Sequence, residues 1–393
     1  MLLPTVKLKT KRASRHPWIY KKMTHAPRGI RLEIGSLVSV RDVDGTPLGQ
    51  AFYHPDNTIA LRMITENPTE EVDAGFVLKR LSYAKSFRED VLGLTKYGDS
   101  YRLANAEADG LPGLVIDKFA DVILVEPYIA GWMHLVDILL DCLKKLYPRE
   151  RIAFRADPGA AAKEGVSFAK LEKNHPAPTS VDMEENNIKY RVDFKTGHKT
   201  GFFLDQRDNR RFVGQLSKGR HVLDLCSYTG GFALSAWKGG AKSITAVDLD
   251  EKAIAAAEVN AELNGAGGAI TFVHQDAFET MREWARKKLR PDFIILDPPK
   301  LAGGQDDVEK ALKAYKDFNE AAIRLAAPGA MFVTCSCSGA VPEERWKRTV
   351  RQAAATVGRG LTVFRHAGPG ADHPVLSDFP QGQYLKVMFA RVE

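Results

Sequence analysis

A chain of 393 residues is too long for one ordinary hydrophobic core, so its length predicts two or three domains. Its composition, 44% hydrophobic and 27% charged, is that of a globular protein, and no apolar run is long enough to span a membrane. The net charge of +7 permits a polyanionic partner without requiring one.

The cysteines are few and irregularly spaced, which argues against a disulfide framework. A Cys-x-Cys pair alone lacks the second half of a zinc site, so we expect no bound metal. The first residues, Met-Leu-Leu-Pro, do not form a signal-peptide core. We therefore expect free thiols, a cytoplasmic location and no contact with a membrane. The four cysteines are Cys142, Cys226, Cys335 and Cys337.

Residues 1–70 predict an all-β domain, because apolar residues alternate at 37–40, 47–53 and 59–64. The first 35 residues hold nine Lys and Arg against one acid, which indicates an RNA-binding face, with a solvated charged surface as the alternative. Aromatic side chains among cations suit base stacking beside phosphate contacts, although Trp18 fits the core of a small barrel equally well. The RNA-binding candidates are Lys11, Arg12, Arg15, Trp18, Lys21 and Lys22.

Residues 71–185 predict a mixed α+β domain that begins after a linker at 66–71. Helical spacing of apolar residues alternates there with short apolar runs, and Asp121 occupies the turn of an expected hairpin. This domain has no chemical signature of its own. The predicted helices are 76–93 and 132–146, the hairpin strands are 114–117 and 122–125, and further strands are 152–156 and 188–194.

From residue 186 strands alternate with helices, which is typical of an α/β doubly wound sheet. Two late strands, at 361–365 and 384–391, complete a mostly parallel sheet of seven strands. Five earlier strands are predicted to end near Asp224, Asp248, Asp276, Asp297 and Cys337. The predicted helices are 231–238, 251–264, 278–288, 306–326 and 342–357.

A glycine turn follows the strand that ends at Asp224 and opens a helix. Gly230 and Gly231 let the backbone approach a ligand, in a pattern that is neither the dinucleotide fingerprint nor a Walker motif. Asp248 can accept hydrogen bonds from ribose hydroxyls, and Asp276 from an adenine amino group. Each acid alone could instead cap a helix. Acids at three successive strand ends favour a bound adenosyl group.

Residues 297–300, Asp-Pro-Pro-Lys, follow a buried strand. Their two prolines fix the backbone and lack amide donors, so carbonyls are available to a planar amine; a sharp strand terminator is the alternative. A thiolate that adds to carbon 6 of a pyrimidine makes carbon 5 reactive toward the methyl group of S-adenosylmethionine. Cys335 and Cys337 are in place for this chemistry, although cysteines are also common buried hydrophobes. We expect Cys226 to line the cofactor site and Cys142 to lie in a core.

Seven segments carry a family resemblance, and they are residues 101–103, 107–113, 197–208, 227–232, 297–300, 336–339 and 371–374. Together they closely resemble the bacterial large-subunit ribosomal RNA cytosine carbon-5 methyltransferases, over nearly the whole chain. The resemblance implies an amino-terminal PUA domain, which is a small RNA-binding pseudobarrel, then the middle α+β domain. It implies that residues 186–393 form a class I S-adenosylmethionine-dependent methyltransferase domain with a Rossmann-like sheet.

The resemblance also implies roles in cofactor binding. Asp205 and Gln206 would lie near the methionine part of S-adenosylmethionine, and the loop 224–232 would cradle it. Asp248 would hold the ribose and Asp276 the adenine amine. The full set implied is Phe203, Asp205, Gln206, Asp224, Cys226, Ser227, Tyr228, Gly230, Gly231, Phe232, Asp248, Leu249, Asp276, Ala277 and Asp297.

The implied catalytic set is Cys337, Cys335, Asp297 and Lys300. Relatives often carry one cysteine in the Ser-Cys-Ser-Gly segment, which favours Cys337 as the nucleophile. Thr-Cys-Ser at 334–336 resembles the nucleophile motif of the wider RNA cytosine methyltransferases, so Cys335 stays an alternative. The wider group has Pro-Cys where this chain has Pro-Lys, which leaves the proton-removing base open between Cys335 and Asp297.

Two other functions remain open. Methylation of an exocyclic purine amine uses an Asp/Asn-Pro-Pro loop without a thiol, but an aromatic usually follows the second proline, where this chain has Lys300. A non-catalytic RNA-binding assembly factor would keep the fold but would not need the acids or the thiol. The expected partner is large-subunit ribosomal RNA, with S-adenosylhomocysteine as product. A homodimer is one open alternative for the oligomeric state.

Overall fold

A computed structural model of the chain describes residues 3–25, 27, 31–195 and 201–393. Residues 197–200 of one resemblance segment lie outside these ranges. The chain divides into two units, and the three domains predicted with boundaries near residues 70 and 185 are a finer division that stays a prediction. The first unit is drawn from Met1–Val181, Asp193–Phe202 and Asp372–Gly382, and the second from Asp182–Val192, Phe203–Ala371 and Gln383–Glu393.

The first unit begins with a five-stranded sheet in the order β1-β3-β4-β5-β2. Inward-facing residues such as Val38 and Val40 alternate with more exposed ones along β3, and this period of two places them in a separate small core. The three strands predicted here are confirmed, whereas β1 and β2 are too short to show a period. The strands are β1 (Thr5–Lys7), β2 (Trp18–Tyr20), β3 (Leu37–Arg41), β4 (Pro47–Tyr53) and β5 (Ile59–Thr65).

The first unit also holds a four-stranded sheet, in the order β6-β7-β8-β9, and, among its described residues, four α-helices and a π-helical turn at Phe87–Val91 that continues the first of them. The hairpin predicted around Asp121 is confirmed as β7 and β8. The helix predicted to start at Trp132 starts at Val136 instead, because a short 3-10 turn places Trp132 in the core. The elements are α1 (Ala74–Ser86), β6 (Tyr101–Asn105), β7 (Leu114–Phe119), β8 (Val122–Pro127), α2 (Val136–Leu146), β9 (Arg151–Phe154), α3 (Pro158–Glu164) and α4 (Ala169–Asn174).

Three resemblance segments of the first unit meet around a fully buried arginine. Arg88 donates to both carboxylate oxygens of Asp109, at 2.6 and 2.8 Å, and to the carbonyl of Asp372 at 2.8 Å. The Asp372 carboxylate in turn accepts from the backbone amide of Arg102 at 3.0 Å. A buried ionic network therefore gives a structural reason for part of the family resemblance. It includes one residue from each of the segments 101–103, 107–113 and 371–374.

The second unit contains a seven-stranded sheet, in the order β14-β13-β12-β15-β16-β18-β17. Its first five strands run parallel, and β18 alone runs antiparallel to its neighbours β16 and β17, which confirms the predicted mostly parallel α/β sheet. The strands are β12 (His221–Leu225), β13 (Ser243–Asp248), β14 (Thr271–His274), β15 (Phe293–Leu296), β16 (Met331–Ser336), β17 (Leu361–Ala367) and β18 (Lys386–Val392), after a hairpin of β10 (Ser180–Glu185) and β11 (Ile188–Asp193).

The helices of the second unit connect these strands, and the parallel order brings the ends of β12, β15 and β16 side by side. Leu225 is paired with Leu296, and Leu296 with Thr334. Because parallel strands end at one sheet edge, the loops that follow them share that edge. The helices are α5 (Arg207–Leu216), α6 (Gly231–Lys238), α7 (Glu251–Leu263), α8 (Ala277–Arg286), α9 (Val308–Leu325) and α10 (Glu343–Thr356).

Candidate functional site

The loop between β12 and α6 has an unusual backbone. Cys226 and Tyr228 adopt positive φ angles of 60° and 49°, although neither is glycine, and Gly230 has a φ of 80°. A Cβ at Gly230 would lie 3.1 Å from the Cβ of Ala257, so the position also requires close approach. Strained backbone of this kind persists where surrounding contacts enforce it, often at ligand-binding loops.

Hydrogen bonds to the neighbouring strand hold this loop in place. The Ser227 amide donates to the carbonyl of Val247 at 3.0 Å, and the Tyr228 amide donates to the carboxylate of Asp248 at 2.7 Å. The second Asp248 oxygen accepts from the amide of Asp250 at 2.9 Å. Asp248 thus shapes the loop from the end of β13, and its predicted bond to ribose stays a prediction. The side chain of Leu249 beside it is 67% exposed.

Asp276 lies past the end of β14 as predicted, and it caps a helix. Its carboxylate accepts from the amide of Glu279 at 3.0 Å, and Ala277 is the first residue of α8. Capping was the open alternative for this acid, and it does not compete with a ligand because a carboxylate has further acceptor sites. Its bond to an adenine amine stays a prediction.

Three acids of the second unit form a cluster that we call the acid cluster: Asp205, Asp224 and Asp297. Burial raises the pKa of Asp224 well above its usual value, and the charge of Asp297 raises it further. The pKa of Asp297 is raised to about 7, first by burial of its carboxyl and then by the charge of Asp205. The charges of these acids therefore disfavour one another, and the buried Arg210 offsets those of Asp297 and Asp205 only in part.

Several buried oxygens around the acid cluster lack hydrogen-bond partners. They are both carboxylate oxygens of Asp224, one of Asp205 and the hydroxyl of Ser227. The backbone amide of Ala233 favours the charged form of Asp224 without making a well-aligned bond to it. Buried polar atoms are normally satisfied, so unpaired acceptors beside a strained loop fit a polar, cationic ligand. S-adenosylmethionine carries both an ammonium and a sulfonium group.

Side chains from the segment before α5 contact the acid cluster and the glycine loop. The Gln206 side chain donates to Asp297 at 3.0 Å, and Tyr384 donates to Asp205 at 2.5 Å. The ring of Phe203 meets that of Tyr228 edge to face, with centroids 5.1 Å apart. Phe232 is buried in the first turn of α6. The structure thus brings most of the residues implied for cofactor binding to one edge of the sheet.

The two thiols of residues 335–337 differ in their surroundings. Cys335 lies in β16, is fully buried and has a pKa raised well above the ordinary value by burial and by Asp297. Cys337 comes just after the strand and is partly exposed. Cys226 is also partly exposed, with a pKa raised by burial and by the charge of Asp248, whereas Cys142 lies in the core of the first unit, as expected.

A hydroxyl network ties the loop after Cys337 to the loop after Asp297. The Ser338 hydroxyl accepts from the backbone amides of Leu301 and Ala302, at 3.0 and 3.1 Å. It also bonds the Tyr315 hydroxyl at 2.9 Å, which accepts from Ser336 at 2.9 Å. These bonds fix the two catalytic candidates relative to each other. Lys300, three residues after Asp297, is exposed.

Sequence reasoning missed two residues of this site, Tyr384 and Lys386. Lys386 is buried and donates to the carbonyls of Ser338 and Val341. A single lysine at the start of the apolar run 385–390 is the signal that could have identified it. Tyr384 had no comparable signal, because its contact with Asp205 joins residues far apart in the chain.

The RNA-binding candidates of the first unit are in varied surroundings. Lys11, Arg15, Lys21 and Lys22 are exposed, but Arg15 contacts Glu66, and Lys21 lies 3.7 Å from Asp56. A cavity of about 530 Å³ is lined by Tyr20, Lys21, Lys22, Asp56 and Thr58.

Arg12 and Trp18 are engaged in the fold of the first unit. Only 10% of the Arg12 side chain is exposed, and it pairs with Glu66 at 3.2 Å. The Trp18 indole donates to Glu107 at 2.8 Å, and its ring packs against Phe379. For Trp18 these contacts favour the packing alternative over base stacking.

Family profiles match both units. The S-adenosylmethionine-dependent methyltransferase family matches residues 166–358, and the PUA-like domain family matches residues 6–66. The described residues contain no group of three or more His, Cys, Asp or Glu side chains suited to a metal ion. Within the same ranges, no helix is both long and apolar enough to cross a membrane.

Individual relatives match almost the whole chain. Ribosomal RNA large subunit methyltransferase I of Aeromonas salmonicida (strain A449) is 38% identical over 382 residues, which cover 96% of this chain and 95% of that protein. The protein of that name from Shewanella denitrificans is 37% identical over 384 residues, or 96% of each. SMU.776, assigned as a methyltransferase and solved in complex with SAH, covers all of both chains with a TM-score of 0.82 at 21% identity.

The sheet, the strained glycine loop and the family matches define an S-adenosylmethionine-dependent methyltransferase that carries a PUA-like domain. Its predicted fold class and cofactor are confirmed. Within that class, the chain belongs to the ribosomal RNA large subunit methyltransferase I family.

Proposed function

We propose that this protein methylates carbon 5 of a cytosine in large-subunit ribosomal RNA, with Cys337 as the nucleophile. The observation that carries the proposal is the position of Cys337, partly exposed after β16, beside the Asp297 loop of the adjacent strand. The names of the curated relatives support ribosomal RNA as the substrate. Such a substrate implies a cytoplasmic location.

The cofactor, when bound, supplies an electrophilic methyl group, and the chain supplies the thiolate and the base that make the cytosine react with it. The Cys337 thiolate adds to carbon 6 of the cytosine, and the displaced electron pair makes carbon 5 nucleophilic. Carbon 5 takes the methyl group from the sulfonium, whose sulfur keeps the bonding electron pair, and a base then removes the carbon-5 proton. The electrons of that C–H bond then restore the ring double bond and expel the Cys337 thiolate.

The surroundings of the two cysteines support this assignment. Cys335 is fully buried, and its raised pKa opposes thiolate formation, so it is the weaker nucleophile. Asp297 has a pKa of about 7, which suits a group that gains and loses a proton at neutral pH. We assign Asp297 as the base that removes the carbon-5 proton.

The acid cluster and its neighbours support the predicted cofactor contacts. Asp205 and Asp224 would bind the cationic methionine end, while the loop 226–230 would approach the adenosyl group and Asp248 would hold the ribose. On the first unit, Lys21, Lys22 and Tyr20 line a cavity whose charges suit an RNA phosphate. Lys11 and Arg15 would extend this surface, and Lys300 would contact RNA phosphate near the thiol.

The test is methyl transfer to large-subunit RNA by the wild type, C337S and C335S, with nucleosides analysed by mass spectrometry. We expect 5-methylcytosine from the wild type and C335S, and a loss of at least about 1000-fold in C337S. RNA with 5-fluorocytosine at the target should trap a covalent adduct on the wild type alone. Full activity of C337S, or an N-methylated purine as product, would refute the proposal.

A further inference from the structure

Lys386 is a buried cation in an otherwise apolar part of the sheet. It is 3% exposed, begins β18 and lies opposite Ser336 of β16. Its ammonium donates to the carbonyl of Ser338 at 2.8 Å and to that of Val341 at 3.0 Å. Both carbonyls belong to the loop that follows Cys337, so the lysine holds that loop directly.

This arrangement is costly for stability. Removing an ammonium from water disfavours its charge, and burial lowers the pKa of Lys386 to about 8. No carboxylate among the described residues lies within ion-pairing distance of it. Two carbonyls could equally be satisfied by a neutral donor, so loop anchoring alone does not explain a charged residue here.

Charge at Cys337 is the main compensation for this cost. A negative charge on Cys337 favours protonated Lys386, and the charge of Glu343 does so to a smaller extent. By reciprocity, the ammonium favours the Cys337 thiolate. Tyr315 and Cys335 also interact electrostatically with this cysteine, and neither carries a positive charge.

We propose that Lys386 is a positioning residue that stabilises the thiolate of Cys337 while it holds the following loop by two carbonyls. The proposal rests on the function assigned to Cys337 above. The lysine transfers no proton and forms no bond to the RNA. It raises the fraction of Cys337 that is ready to attack at neutral pH.

The test measures the rate at which iodoacetamide alkylates Cys337 as a function of pH, with the site identified by peptide mass spectrometry. In wild type we expect the midpoint to lie below the ordinary thiol value of about 8.5. K386Q keeps a donor for the carbonyls but loses the charge, and it should raise the midpoint by about one pH unit. K386R keeps the charge and should stay close to wild type.

A purely structural role is distinguished by S338A, which removes the acceptor of two backbone amides but leaves the ammonium. S338A should slow methyl transfer without moving the alkylation midpoint, and exposed Lys313 gives a matched control as K313Q. Equal midpoints for K386Q and wild type, or an equal shift in S338A, would overturn the proposal. If K386Q does not fold, a wild-type midpoint at or above about 8.5 overturns it as well.

The alkylation readout does not depend on methyl transfer, so it separates this proposal from the proposed function. If C337S still forms 5-methylcytosine, the proposed function fails, whatever the alkylation profiles show. If C337S is inactive but Lys386 does not move the midpoint, only the inference about Lys386 fails. In active K386Q, we expect kcat near pH 7 to fall about tenfold and to recover at higher pH, with KM for S-adenosylmethionine unchanged.

Discussion

The ionic network around Arg88 in the first unit and the acid cluster in the second unit are both buried, but they differ in charge balance. Arg88 meets Asp109 through two bonds, and every atom of its fork has an acceptor. In the acid cluster, Asp224 meets other acids and keeps two unpaired oxygens. A balanced network stabilises a fold by itself, whereas an unbalanced one is stabilised by a ligand of opposite charge.

The largest effect should follow from unbalancing the first network. R88M leaves Asp109 charged and buried without its partner, so we expect the free energy of unfolding to fall by about 3–5 kcal/mol. Urea unfolding measures this loss. R88K keeps the positive charge but not the planar guanidinium, so its free energy of unfolding should lie between those of wild type and R88M. A change below about 1 kcal/mol would show that the network is not a stabilising one.

The next effect should follow from neutralising the acid cluster. D224N removes one of the mutually repelling charges, so we expect the free protein to gain about 1 kcal/mol of stability. The same change should weaken S-adenosylmethionine binding about 10- to 100-fold, because a charged acceptor is lost. Calorimetry measures the loss of affinity, and thermal unfolding measures the gain in stability. D317N, on the exposed face of α9, is the control for both. Loss of stability in D224N would contradict the comparison.

A smaller effect should appear in the pH dependence of the free protein. The folded-state pKa of Asp297 is about 7, above its unfolded value, so the folded chain binds more protons between about pH 4 and 7. Stability attributable to Asp297 is therefore greatest at low pH and is lost as pH rises through 7. Because the ionised acid is the better partner for a cation, affinity for S-adenosylmethionine should rise about tenfold from pH 6 to 8.

Titration of binding by calorimetry at several pH values measures this rise. D297N has no proton to lose, so its affinity should be flat over the same range. A wild-type affinity that falls with pH would mean that the acid cluster is already neutralised within the chain.

The smallest effect concerns the exposed cations of the first unit. K22A should leave stability unchanged, since Lys22 is exposed, and should lower RNA affinity a few-fold while reducing the salt slope by about one. Filter binding at several salt concentrations measures both values. W18A, by contrast, should lower the thermal midpoint because the ring packs against Phe379. Equal RNA affinities for K22A and wild type would remove this surface from the proposed interface.

Much of the second unit could be predicted from sequence because its signals are local. A run of apolar residues followed by an acid marks the end of a parallel strand, and this rule located Asp224, Asp248 and Asp297. The same rule located Asp276 but could not distinguish a ligand contact from a helix cap, since both use the same carboxylate. Periodicity likewise identified most strands of four or more residues, but it missed β6 and β10 as well as the three-residue strands β1 and β2.

Contacts between distant parts of the chain could not be predicted. Trp18 packs against Phe379, and Asp205 is bound by Tyr384, although more than 170 residues separate each pair. No local pattern encodes such pairings, because they depend on where the sheet brings separate strands. Lys386 is intermediate: its position in an apolar run marks it as unusual, but its relation to Cys337 requires the antiparallel pairing of β16 and β18.

The interleaved boundaries of the two units have a consequence for how the chain matures during translation. Arg88 needs the carbonyl of Asp372, so the amino-terminal unit lacks an acceptor for its buried guanidinium until nearly the whole polypeptide has left the ribosome. Domains usually fold in the order of their synthesis. Here the unit that is synthesised first gains its last segment only near the end of translation. A nascent chain that stops before residue 372 should therefore be a substrate for chaperones and proteases.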